Sequence, residues 1–190
     1  MTVSTMVRAA AALGGLLFLT NCVSAPAPAP TPEPRPAPPV TPTPPAPVAK
    51  DWREWPVARG DWSYRAIEGG TLAAFGEAGR TAELAIRCEL ATRRLSFARV
   101  TAAQTRPGDQ MTVHTSFGAF QWPVSDIPTI SSREQGSTAT FAVAVRASND
   151  SSLDKIAFSR GRFAIEAPGA PPLSVPGWAE VSRVIEDCRG

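Results

Sequence analysis

The side chains able to do chemistry are few and scattered. The 190-residue chain holds one histidine, His114, and three cysteines, Cys22, Cys88 and Cys188. A nucleophilic hydrolase needs a base beside its Ser, Thr or Cys. His114 alternates with Thr112 and Ser116, which reads as a solvated residue on the outer face of a strand. There is no Gly-x-Ser-x-Gly elbow, and Ser159-Arg160-Gly161 does not replace one. Asp126, Asp150, Asp154 and Glu180 are of the type paired in glycosidases, but no spacing singles out a pair. A lone histidine without any Cys-x-x-Cys is a poor zinc set. The expected catalytic residues, metal ligands and cofactors are therefore none, and the chain reads as non-enzymatic.

Two groups remain as binding candidates. Arg160 and Arg162 flank Gly161 in a turn that would present two guanidinium groups to an anionic partner such as lipopolysaccharide or a carboxylate. The plainer alternatives are a solvated turn or a structural salt bridge. Trp52, Trp55, Trp62 and Tyr64 crowd the start of the folded part, where aromatic faces serve a carbohydrate-binding platform by stacking on sugar rings. The reading favoured here is structural: Trp52 and Trp55, three apart, share one side of a short helical turn and cap a sheet. Nucleic acid is not expected as a partner. The whole chain carries a formal charge of +2, but Arg8, Arg35 and Lys50 against Glu33 account for it. Residues 51–190 balance, leaving no basic stripe to displace counterions from a polyphosphate.

The elements that position these residues fall into three stretches. In residues 1–21, Arg8 precedes the apolar run Ala9 to Thr20, which is too short for the roughly 20 residues of a spanning helix and reads as a secretory signal peptide. The small-residue cleavage sites ending at Ala25, Ala27 and Ala29 are each followed by proline, a poor fit to an extended protease cleft. Leu19-Thr20-Asn21-Cys22 resembles the lipobox of bacterial lipoproteins, although Asn21 stands where that family usually has Gly, Ala or Ser. The resemblance implies that Cys22 carries diacylglycerol and becomes the new N-terminus, a membrane anchor strengthened by about 0.8 kcal/mol per buried CH₂. Val23 and Ser24, with no aspartate after the cysteine, resemble Gram-negative lipoproteins exported onward, which implies a lipid-anchored, periplasm-facing protein of the outer membrane. Inner-membrane anchoring or a soluble periplasmic state is the alternative.

Residues 22–50 form a proline-rich spacer. From Pro26 to Pro47 more than half the residues are proline, biased to polyproline II. At about 3.1 Å per residue such a spacer reaches roughly 75 Å.

Residues 51–190 are one domain's worth of chain. With Cys22 committed to lipid, Cys88 and Cys188 remain as a pair suited to an oxidising compartment. Ala82, Leu84, Ile86, Cys88 and Leu90 alternate along one strand face, while Trp178, Val181, Ile185 and Cys188 follow a helical face, so a bridge would pin a C-terminal helix to a sheet; two buried free thiols are the alternative. Period-two runs recur at Trp62–Ala66, Thr71–Phe75, Arg94–Val100, Met111–Phe117, Phe120–Val124, Ala139–Val145, Phe163–Ile165 and Leu173–Val175. Gly69-Gly70 and Gly118-Ala119 are the expected hairpin turns, and Pro123 marks an edge strand. The expected fold is mostly β: an antiparallel sandwich or flattened barrel of about eight strands closed by a C-terminal α-helix.

Gly60-Asp61-Trp62, the central cysteine and the closing run from Ser159 resemble exported domains of Gram-negative bacteria, with a slight similarity to the invasion-associated locus B family, which is β-sandwich in type. That family's second cysteine pair is missing here. The expected function is a tethered non-enzymatic β domain that binds or supports an envelope protein or glycan; a periplasmic enzyme inhibitor and a peptidoglycan-directed hydrolase are the alternatives.

Overall fold

The computed structural model describes residues 49–125 and 139–190. The stretch read as a signal peptide, Cys22, the proline-rich segment up to residue 48 and Asp126 lie outside the described residues. Residues from Pro45 to Gly190 form one compact unit. Among the described residues, a 3-10 turn at Trp52–Glu54, capped by Asp51, is followed by nine strands and two helices. Strands β1 (Asp61–Ile67), β2 (Gly70–Gly76), β3 (Leu84–Glu89), β4 (Arg94–Thr101) and β7 (Thr140–Ala147) pair in the order β1-β2-β3-β4-β7. Strands β5 (Gln110–Thr115), β6 (Gly118–Pro123), β8 (Arg162–Glu166) and β9 (Leu173–Pro176) pair in the order β6-β5-β8-β9. All strand pairings are antiparallel. Helix α1 (Ser151–Ala157) precedes β8, and α2 (Ala179–Arg189) ends the chain. The fold is a sandwich of two open sheets, and the flattened barrel is excluded because the sheets do not join into one closed ladder. Among the described residues no helix is long and apolar enough to cross a membrane.

One core fills the space between the sheets. Phe75, Leu84, Ile86, Leu95 and Phe97 meet Met111, Val113, Trp122, Phe163 and Ile165, and α2 adds Val181, Val184, Ile185 and Cys188. Two aromatic pairs cross between sheets: Phe97 with Trp122 at 4.8 Å and Trp62 with Phe163 at 6.3 Å. The Trp62 indole also donates to the Pro176 carbonyl at 2.8 Å, so its polar edge is satisfied inside the core. Cys88 on β3 and Cys188 on α2 are disulfide-bonded, with Cα atoms 5.4 Å apart. Gly70 is required beside the bridge, because a Cβ there would collide with the Cys88 carbonyl.

Register corrects the expected turns. The β1–β2 turn is Glu68-Gly69, where Gly69 takes φ +73°, and Gly70 already pairs with Ile67. The β5–β6 turn is Ser116-Phe117, and Gly118 opens β6 opposite Thr115. In both hairpins the turn sits one or two residues earlier than the glycine pair suggested, since cross-strand register rather than local glycine content decides which residues turn. The apolar face of β7 is also turned around. Phe141, Val143 and Val145 join Leu72, Ala85 and Ala98 in a small cluster on the far side of the five-stranded sheet, while Ala142 and Ala144 face the core. Phe97, paired with Ala144 and packed at a tilt against Trp122, occupies the volume a larger β7 side chain would need.

Asp150 fixes the β7–α1 junction. One carboxylate oxygen accepts from the Ser152 N–H at 2.8 Å and from the Ser152 hydroxyl at 2.6 Å, and the other accepts two guanidinium N–H groups of Arg146. Burial alone would raise the Asp150 pKa, but the Ser152 and Arg146 hydrogen bonds outweigh it and hold the carboxyl below the usual aspartate value. A folded-state pKa below the unfolded one stabilises the domain above about pH 4, and that contribution is lost as pH falls further. Asp150→Ala is therefore expected to cost about 2 kcal/mol at pH 7, combining a lost N-cap with a stranded arginine. Urea melts at pH 7 and pH 3 check this: the gap between wild type and variant should narrow at pH 3, and a gap that does not change assigns no role to the ionised carboxylate.

Candidate functional site

Three loops meet at one end of the sandwich and carry the residues singled out for binding. The Ser116 N–H donates to the Ser159 hydroxyl at 3.1 Å, and the Arg160 N–H donates to the Ser116 hydroxyl at 3.0 Å, joining the β5–β6 turn to the loop that leads into β8. The Gly177 N–H donates to the Gly161 carbonyl at 3.1 Å, which brings in the link between β9 and α2. Gly161 takes φ +73°, the left-handed conformation that lets this loop reverse. The two arginines have different fates. Arg162 is partly buried, and its guanidinium donates to the Trp55 carbonyl at 3.2 Å, tying the start of the domain to β8. Arg160 is exposed.

The same three loops carry three aromatic side chains that sequence reasoning did not place outside. Phe117 is 53 % exposed, Phe158 66 % and Trp178 44 %. Phe117 and Trp178 were both expected on inward faces. Phe117 instead occupies the hairpin turn, and Trp178 precedes the first residue of α2. The signal for Trp178 was present in Pro176-Gly177, which breaks any helical register before it. No equivalent signal marks Phe117.

The aromatic residues at the start of the domain do not form a platform. Trp62 is in the core. Tyr64 packs beneath Arg183, 4.1 Å from ring to guanidinium, and its hydroxyl donates to Asp187 at 2.5 Å, a bond that raises the phenol pKa. Trp52 and Trp55 do cap a sheet, the four-stranded one, from its outer face. Trp52 stacks on His114 at 6.1 Å, and Trp55, only 7 % exposed, meets the same ring edge-on at 5.4 Å. His114 is accordingly not a solvated residue. Its Nε2 lies 2.6 Å from Glu166 on the neighbouring strand β8, and the two tryptophans cover the imidazole. The strand alternation set its face correctly; the cover comes from residues about sixty positions away.

A cleft of about 930 Å³ lies between the β2–β3 loop, the end of β4 and the turn at Gly169–Pro171. Arg59, Arg80 and Arg99 line it together with Glu77 and Glu83. Arg99 is 4 % exposed and donates to the carbonyls of Glu83 at 3.0 Å and Pro171 at 3.4 Å. Burial lowers its pKa while the Glu83 carboxylate, 3.6 Å away, pushes it back up. These bonds make Arg99 a strut between the two sheets. The carboxylates Asp150 and Asp154 are likewise engaged, Asp154 with Arg189 at 2.7 Å. Among the described residues no three His, Cys, Asp or Glu side chains gather as a metal site. Comparison with protein-family models, curated proteins and solved structures finds no match to this chain.

Proposed function

We propose that this chain is a lipid-anchored protein of the bacterial cell envelope whose residues 51–190 serve as a non-enzymatic binding domain tethered to the membrane through the proline-rich spacer. The observation that carries the reading is the Cys88–Cys188 bridge. Both residues are fully buried and join the last helix to a central strand, a use of cysteine that fits an oxidising compartment. It also accounts for two of the three cysteines and leaves Cys22, at the end of the apolar leader, for the anchor. The polar groups of the sandwich that catalysis would draw on are engaged in structural contacts: His114 with Glu166 under two tryptophans, Asp150 as a helix cap, Asp154 with Arg189. The exposed aromatic and cationic loops supply a surface for an envelope partner, and an outer-membrane, periplasm-facing position is the placement proposed.

Metabolic labelling with an alkynyl fatty acid in a Gram-negative host tests the anchor. Cys22→Ala is expected to abolish the label and leave a full-length precursor in the inner membrane, because each ordinary cleavage site is followed by proline. Equal labelling of the wild type and the variant would overturn the lipoprotein reading.

A further inference from the structure

We infer that the loop end carrying Phe117, Phe158, Arg160 and Trp178 docks on an anionic lipid surface. The inference deepens the proposed binding role by naming the partner's chemistry. It is tested without the anchor, so its failure and the failure of anchoring are separate results.

The exposed aromatic side chains are drawn from three separate stretches of chain, yet hydrogen bonds between those stretches hold them at one end of the molecule. Aromatic rings favour the boundary between headgroups and acyl chains, where an apolar body and a wet edge are both satisfied. Part of the polar backbone of these loops is paired internally. The N–H groups of Ser116, Arg160 and Gly177 and the hydroxyl of Ser159 are bonded to partners within this end. Carrying those groups toward the headgroup region therefore leaves none of them unsatisfied. A glycan or a peptide is recognised by a few directed donors and acceptors in a concave pocket, whereas Phe117, Phe158 and Trp178 stand out as side chains 53 %, 66 % and 44 % exposed. What the loops offer instead is undirected: apolar surface and charge.

That charge is positive. Arg160 is exposed at the turn, and its long stem lets the guanidinium reach phosphate oxygens while the rings beside it insert. Lys155, one helical turn earlier on α1, is exposed as well and sits 5.9 Å from the Phe120 ring. Glu180, in the first turn of α2, sets one negative charge against these two cations. An anionic surface is thus preferred over a zwitterionic one, and the contact is modest, as suits a domain already held near the membrane by other means.

Trp178 is the exposed one of the five tryptophans and serves as a reporter: Trp55, Trp62 and Trp122 are buried, and Trp52 is partly covered where it stacks on His114. The compact unit Pro45–Gly190, with its disulfide intact, is mixed with phosphatidylglycerol–phosphatidylcholine vesicles or with phosphatidylcholine vesicles alone, and read by co-sedimentation and tryptophan emission. Binding to the anionic vesicles with a blue shift is expected. Phe117→Ser with Phe158→Ser should reduce the bound fraction about tenfold while leaving the thermal melt in place, since both rings are exposed. Arg160→Gln should bring binding to anionic vesicles down toward that to neutral ones. No binding to either vesicle, or undiminished binding by the double variant, would overturn the inference. Equal binding of the wild type to both vesicles would remove the anionic requirement and overturn it as stated. Retention on purified peptidoglycan without vesicle binding would assign the surface to a glycan.

Discussion

Opening the Cys88–Cys188 bridge is expected to cost the domain about 2–4 kcal/mol. The bridge closes a loop of 100 residues in sequence separation. An ideal chain of that length would give about 4.7 kcal/mol, and residual structure in the unfolded state lowers the figure. Cys88→Ser and Cys188→Ser each remove the same cross-link, so their losses should be similar and the double variant should lose little more than either one. A small difference is built in. The Cys188 sulfur lies 3.4 Å from the Arg94 carbonyl, so a serine hydroxyl at 188 has an acceptor at hand. Helix α2 retains Val181, Val184 and Ile185 in the core and should stay docked. Urea melts of the four proteins with free-thiol counts after denaturation decide the matter: two titratable thiols in the unreduced native protein, or additive losses in the double variant, would mean that packing alone holds the helix.

Phe97→Ala is expected to be the most damaging single substitution outside the bridge, at about 3–5 kcal/mol. Phe97 is fully buried on β4, lies between Ile86 on β3 and Ala144 on β7, and meets Trp122 of the other sheet at 4.8 Å. Truncation leaves a cavity at the junction of the sheets. Ala144 cannot fill it and the indole is held by the edge strand β6. Against a total stability on the order of 5–15 kcal/mol, such a loss brings the fold near its limit. Phe141→Ala provides the control, since Phe141 faces the opposite side of the five-stranded sheet and is partly exposed. It should cost about 1 kcal/mol. Comparable losses from the two substitutions, measured by urea denaturation, would show that the large residues of β7 and not its alanines face the main core.

How much of this was legible in the residues varies by element. The alternation of Leu84, Ile86 and Cys88, the helical spacing of Val181, Ile185 and Cys188, and the edge position implied by Pro123 appear in the structure, because each depends on short-range periodicity and burial; the ends of those patterns do not, since Ala82 precedes β3 and Leu90 and Trp178 are exposed. Trp52 and Trp55 were likewise legible as a cap. What they cap was not: the Trp–His114–Glu166 stack brings together residues from the start of the domain, β5 and β8, and nothing local encodes that meeting.

Composition and spacing by themselves determined the β-rich class and the neutrality of the folded part, since these follow from counting and a period of two; the pairing of Cys88 with Cys188 was reached through the lipobox resemblance, which set Cys22 aside. Only the tertiary structure decided which face of β7 is inside, where the hairpins turn, and that Phe117, Phe158 and Trp178 stand outside. A strand's alternation marks two faces but does not say which is buried; that depends on the volume already taken by side chains from distant strands, here Phe97 and Trp122. The position of a loop aromatic is set the same way, by hydrogen bonds between residues more than forty positions apart, such as that between Ser116 and Ser159.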